Sequence, residues 1–150
     1  MNFNILRIIN EPTAAAFAYG IDNTIEEERI MVFDMGGGTL DISILEIDNN
    51  FFETIDSIGV NNLGGNDFTK VIYDDCLDEF KKNINKETIF VKQSKLIQLM
   101  YNCNKAKEKL SWVDSCSIKI NDFYKISNDK SIDLEYNLDL LKFKRISKPL

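Results

Sequence analysis

Hydrophobic and polar positions change period several times along the 150-residue chain, and each change marks a predicted element. Ile30-Met31-Val32-Phe33 is an unbroken apolar run, which predicts a strand buried on both faces. Asp34-Met35 and three glycines follow it. Thr39 to Ile47 then alternates, with Leu40, Ile42 and Ile44 on one side and Asp41, Ser43, Leu45 and Ile47 on the other. Both runs are rich in β-branched residues, so the glycines between them predict a tight turn joining adjacent antiparallel strands. Asp48-Asn49-Asn50 is a turn signal, and Phe51 to Ile58 predicts a third strand.

On either side of this block the period lengthens. Phe3 to Ile9 predicts a short strand, and Asn10 or Glu11 starts a helix with Pro12 in its first turn, where a missing N–H costs nothing. Thr13 to Tyr19 is Ala-rich and ends at Gly20 as a C-cap. Asp22 to Glu28 is a polar connector at a predicted lobe boundary. Past Gly64-Gly65, Asn66 or Asp67 caps a helix whose Phe68, Ile72, Cys76 and Phe80 lie on one apolar face. Asn83 to Thr88 is a loop. A second helix, from about Val91 to Leu110, carries Leu99, Cys103, Ala106 and Leu110 on one side and a polar stripe of Asn104, Lys107, Glu108 and Ser111 on another. Cys116, Ile118 and Ile120 alternate in a strand, Ser127 to Lys130 is a turn, and Ile132, Leu134 and Tyr136 alternate in the partner strand. Asn137 to Leu150, with Lys142, Lys144, Arg145 and Lys148, predicts a frayed basic tail; a targeting signal is the weaker alternative.

Composition narrows the function classes. With 44% apolar residues the chain has the makings of one ordinary core or two small lobes. A net charge of −6 and a pI near 4.7 argue against nucleic acid or an anionic membrane as partner. No stretch approaches the ~18 uninterrupted apolar residues of a membrane span, and the first residues lack a signal-peptide pattern. Cys76, Cys103 and Cys116 lack metal-ligand spacing and read as buried free thiols of a reducing compartment, which points to the cytoplasm. There is no histidine, so His-based triads and His-ligated metals are excluded.

The glycine turn is the candidate chemistry. Glycine lets backbone N–H groups approach an oxyanion closely. Asp34 can hold a water of Mg²⁺, a hard ion that travels with polyphosphates and takes few protein carboxylates, while Gly36 to Thr39 donate to the phosphates. The bland alternative is a hairpin that binds nothing. The turn is neither the Gly-x-x-x-x-Gly-Lys loop nor the Gly-x-Gly-x-x-Gly fingerprint, because a strand, not a helix, follows it.

Four segments together carry a resemblance: Arg7-Ile8-Ile9-Asn10-Glu11-Pro12-Thr13-Ala14-Ala15-Ala16-Phe17-Ala18-Tyr19-Gly20, the glycine turn, Leu63-Gly64-Gly65-Asn66-Asp67-Phe68, and Lys105-Ala106-Lys107-Glu108-Lys109-Leu110-Ser111. In this order they resemble the 70-kilodalton heat-shock chaperone (heat shock protein 70) family, whose members act in protein folding and the stress response. The resemblance implies an α/β fold, the actin-like (ribonuclease H-like) ATPase, represented mainly by its second lobe, with a mixed sheet plus helices and a helix/strand subdomain. Residues 1–22 would end the first lobe, 24–63 would be the second-lobe core sheet with the phosphate loop, 64–136 the outer subdomain, and 137–150 an unmatched basic tail. ATP or ADP with Mg²⁺ would be the cofactors. Glu11, Asp34, Thr39 and Asp41 would be catalytic, with Glu11 and Asp34 facing the metal through water. Gly36, Gly37, Gly38, Thr39, Gly64, Gly65, Asn104, Lys107, Glu108 and Ser111 would contact the nucleotide, the stripe on the adenosine side. Nucleotide-exchange factors and J-domain co-chaperones would be partners, and unfolded clients partners of a full-length relative only.

The chain departs from that pattern in two ways. The family's first-lobe phosphate loop with its catalytic lysine, its last adenosine-binding glycine loop and its substrate-binding domain have no counterpart in these residues, so an isolated chain is expected to be inactive. In the stripe, Asn104 stands where the family usually has glutamate and Glu108 where it has arginine, whereas Lys107 and Ser111 match. Two other readings compete: a non-catalytic remnant that binds partners, and an actin-like filament protein. The complete Asn10-Glu11-Pro12-Thr13 and Lys107-Glu108-Lys109-Leu110-Ser111 segments favour the chaperone over the filament protein.

Overall fold

A computed structural model of the chain describes residues 4–19, 27–48, 51–127 and 129–150. They form two compact units, Met1–Gly64 and Gly65–Leu150.

In the first unit, α1 (Glu11–Ala18) precedes a meander of β1 (Glu27–Met35), β2 (Thr39–Asp48) and β3 (Phe51–Asn61). The strand order is β1-β2-β3 and both pairs are antiparallel. Short connections allow nothing else, since a parallel pair needs a crossover of about a dozen residues or more. Among the described residues both sheets are antiparallel, within an architecture that mixes α and β elements as the resemblance implies. α1 covers one face: Ala16 is buried with Leu45 and Ile47, and the rings of Phe17 and Phe52 lie 4.3 Å apart. On the other face Met31, Phe33, Ile58 and Val60 are exposed. The apolar run from Ile30 predicts two buried faces, but a single eight-residue helix can cover only one. Residues 4–10 are not a strand, and Ile5, Leu6 and Ile8 are exposed. The alternation there finds no strand to pair with among the described residues. Phe3, the C-cap glycine Gly20 and residues 22–26 of the predicted connector lie outside the described residues, as do Asn49, Asn50 and Asn128.

The second unit contains α2 (Gly65–Asn83), α3 (Gln93–Lys109), the hairpin β4 (Ser115–Ser127) and β5 (Lys130–Asp139), and α4 (Leu140–Ser147). Ile72, Cys76 and Phe80 of α2 meet Leu99, Cys103 and Ala106 of α3 over Ile118, Ile120, Phe123, Leu134, Tyr136 and Leu138 of the hairpin. Phe80 meets Phe123 edge to face at 5.0 Å. Past the last residue of α2, Asn83, Asn85 takes a left-handed φ of 52°, and Lys86 N–H closes the cap on the Lys81 carbonyl at 3.0 Å. The tail expected to fray is ordered. Asp139 caps α4 by accepting from Lys142 N–H at 2.7 Å, and Leu140, Phe143 and Ile146 pack on the core. Among the described residues no helix is long and apolar enough to cross a membrane.

Burial sets the behaviour of the thiols. It pushes Cys103 up to about 12 from an ordinary 9.0, raises Cys76 as well, and raises Cys116, which is only half-buried. Burial, followed by its hydrogen bond to Asp75, also raises Tyr136. These groups stay neutral in the folded chain while the unfolded chain ionises, so their stabilisation is complete below pH 9.0 and falls as the pH climbs toward about 12. Denaturation midpoints should therefore drop across that window. Just below its lower edge, iodoacetamide should alkylate Cys116 first. Equal rates at all three thiols in native protein would contradict this packing.

Candidate functional site

The site begins with the turn between β1 and β2. Met35 and Leu40 form the last pair of the ladder, and Gly36 N–H donates to the Thr39 carbonyl at 2.9 Å, closing the turn. The Gly38 carbonyl accepts from Asn62 N–H at 3.0 Å, and Asn62 takes a left-handed φ of 62° to reach it. Gly64 then passes directly over the turn. A Cβ there would lie 2.5 Å from Gly37 C and Gly38 N and 2.7 Å from the Gly37 oxygen. So the Gly36 N–H is engaged within the turn, while those of Gly37 and Gly38 have no partner among the described residues.

Along the same two strands, Asp34 and Asp41 stand directly opposite one another. Together with Glu11, the first residue of α1, they line a cavity of about 380 Å³ that also includes Asn10, Ser43 and Ser57. No lysine or arginine lines it. Like charges facing each other across a strand pair are destabilising, so a cation in this cavity would relieve their repulsion. Among the described residues no three acids come close enough to hold a metal ion directly. Acids spaced in this way suit a hydrated ion gripped through its waters, which is how Mg²⁺ is usually held. Thr39 is exposed at the head of β2 and does not line the cavity.

Two features of the cavity escape the sequence reading. Gly59 is the β3 partner of Asp41, and a Cβ on it would come 2.6 Å from Asp41 Oδ1. The glycine leaves room for the carboxylate. A glycine between Ile58 and Val60 inside a strand is itself the signal for such a close approach. The other is the Ser43–Ser57 hydroxyl contact at 3.1 Å, which keeps a polar patch at the cavity beside buried Leu45. Its signal is a hydroxyl on the otherwise inward face of β2.

A model of the Hsp70 protein family matches residues 2–150. The chain belongs to the Hsp70 family. Membership points to a chaperone-type function, and the match extends through α4, which the motif comparison leaves outside.

In the second unit the polar stripe of this Hsp70 chain is largely occupied with its own unit. Lys107 Nζ donates to the Gly65 carbonyl at 2.6 Å and to Thr69 Oγ1 at 2.9 Å, so it clamps the first turn of α2. Burial lowers its pKa. Thr69 shares its own hydroxyl proton between the Gly65 carbonyl at 3.0 Å and Asn104 Oδ1 at 3.2 Å. Asn104 in turn donates to Glu108 at 2.7 Å, and Lys105 pairs with Glu108 at 2.9 Å, which holds the Glu108 carboxyl below its usual range. Ser111 is exposed past the end of α3. Gly65, Asn104, Lys107 and Glu108 are thus linked in one network, which the Ser111 side chain does not join; Ser111 only donates its backbone N–H to the Glu108 carbonyl at 3.1 Å.

Proposed function

We propose that this chain contributes the metal- and phosphate-binding half of an Hsp70-type ATPase that drives protein folding. One observation carries the reading: Glu11, Asp34 and Asp41 share a cavity with no basic residue, in the same unit as a glycine turn with two N–H groups free to donate. Mg²⁺-ATP, when bound, supplies the phosphoanhydride bond and the charge that offsets these carboxylates. Asp34 and Glu11 would hold the ion through water. Gly37 and Gly38 would donate to the nucleotide's phosphate oxygens. Asp41, kept in place over Gly59, would orient water and ion within the cavity, and Thr39, which stands outside it, would contribute from the phosphate side. Work of this kind is positioning and electrostatics, with little covalent chemistry asked of the protein. Nucleotide-exchange factors and J-domain co-chaperones are the partners that family analogy assigns to such a module.

A second reading, partner binding without catalysis, is favoured by the stripe. Asn104 and Glu108 bond to each other, and Glu108 brings a negative charge to the adenosine side. Calorimetry with Mg²⁺-ADP separates the two. The first reading expects weak binding, about −4 to −6 kcal/mol, which Gly37→Val abolishes while amide spectra stay native. Equal heats from both proteins would leave partner binding as the function.

A further inference from the structure

We propose that the second unit carries an anion site of its own, a lysine-lined cavity that takes a phosphomonoester dianion. The cavity measures about 430 Å³ and lies between the Phe90–Lys95 segment and the turn end of the β4–β5 hairpin. Lys92, Lys95, Lys125 and Lys130 line it, with Asp122 and Asp129 as the only acids. Its size falls within the range of small-molecule sites, roughly 300–1,000 Å³.

The charge there is local and only half compensated. The chain is acidic as a whole, yet sixteen of its eighteen lysines and arginines fall in residues 65–150, against thirteen of its 24 acids. Among the described residues Lys92, Lys125 and Lys130 form no ion pair, whereas Lys70, Lys81, Lys105, Lys119 and Lys142 each do. Lys95 is fixed by donating to the Asn121 carbonyl at 2.7 Å. Lys92 is the N-cap of α3 but makes no capping bond, and no acid stands in that helix's first turn to offset the lysines. Of the acids, Asp122 is occupied: its carboxylate accepts from the Ser131 hydroxyl at the bulge where its φ is 51°. The net excess of two positive charges in the lining matches a dianion, and lysine binds phosphate as a point charge without needing a fixed fork. Phe90, 90% exposed on the rim, offers a flat apolar surface to whatever carries the phosphate.

The test is a titration of the whole ¹⁵N-labelled chain with phenyl phosphate at constant ionic strength, following backbone amides. Saturable shifts are expected at residues 90–95 and 125–131. A Lys125→Gln/Lys130→Gln chain should bind at least tenfold more weakly, whereas Lys148→Gln, which removes a charge outside the cavity, should change nothing. Phe90→Ala should weaken phenyl phosphate and leave inorganic phosphate unaffected, which tells an ester from the free ion. The spectra themselves report whether each variant is folded, and Lys92→Gln serves if the double variant is not. Linear, non-saturating shifts, shifts reproduced by sodium chloride, or equal losses in the Lys148→Gln control would overturn the site. Shifts confined to Gly36–Thr39 would assign the binding to the glycine turn and overturn it equally.

Discussion

A Gly64→Val chain is expected to lose Mg²⁺-ADP binding by at least tenfold, a change of ~1.4 kcal/mol or more, with the second unit still folded. The cause is steric. The first atom of any side chain at this position would sit 2.5 Å from backbone atoms of Gly37 and Gly38, and backbone cannot swing aside as a side-chain tip can. The turn must shift, and with it the two N–H groups that have no other partner among the described residues. Overpacking of this sort costs ~1–3 kcal/mol in general. Hydrogen exchange gives a local readout, because the Asn62 amide is tied to the Gly38 carbonyl at 3.0 Å and should lose protection in the variant. Unchanged affinity in a folded Gly64→Val chain would show that the turn does not bind phosphate. Gly59→Ala makes a contrasting companion. There the clash is with the Asp41 carboxylate alone, so it should weaken the response to Mg²⁺ more than the response to ADP.

Much of the second unit could be read from the sequence because burial there follows simple periods. Ile72, Cys76 and Phe80, and Leu99, Cys103, Ala106 and Leu110, lie in the core as their spacing predicts. Period-two reading stops working at Asn121. There the register shifts, Asp122 adopts its left-handed φ, and Phe123 returns to the core one step out of phase. α4 was hidden by its charges. Lys142, Lys144 and Arg145 make the segment look solvated, yet Lys142 turns inward to Glu79 at 2.5 Å and Asp75 at 3.5 Å and lies over the Tyr136 ring. The apolar residues that dock the helix, Leu140, Phe143 and Ile146, recur every three positions between those charges. In the candidate site the acids and glycines were legible as types. Cross-strand placement was not, because only the register puts Asp41 over Gly59 and against Asp34.

That same difference in burial predicts which half of the chain folds on its own. Residues 65–150 enclose thirteen apolar side chains in one cluster, four of them aromatic or leucine on the hairpin alone. The first unit buries only Ala16, Leu45 and Ile47 among its described apolar residues, and leaves Met31, Phe33, Ile55, Ile58 and Val60 in water. Burying a large apolar side chain contributes ~1.5–3 kcal/mol, whereas ordering each residue's backbone costs ~1–2 kcal/mol. Three buried side chains offset far less of that cost over a meander and a helix than thirteen do over a continuous core of helices and hairpin. Expressed alone, residues 65–150 should unfold in urea in one cooperative transition, with a slope of about 1–3 kcal/mol per molar. Residues 1–64 alone should show no transition, and in the whole chain the amides of β1 to β3 should exchange well before those of α2, α3 and β5. A cooperative transition from the 1–64 fragment, or its absence from 65–150, would overturn the assignment of the chain's stability to the buried cluster of the second unit.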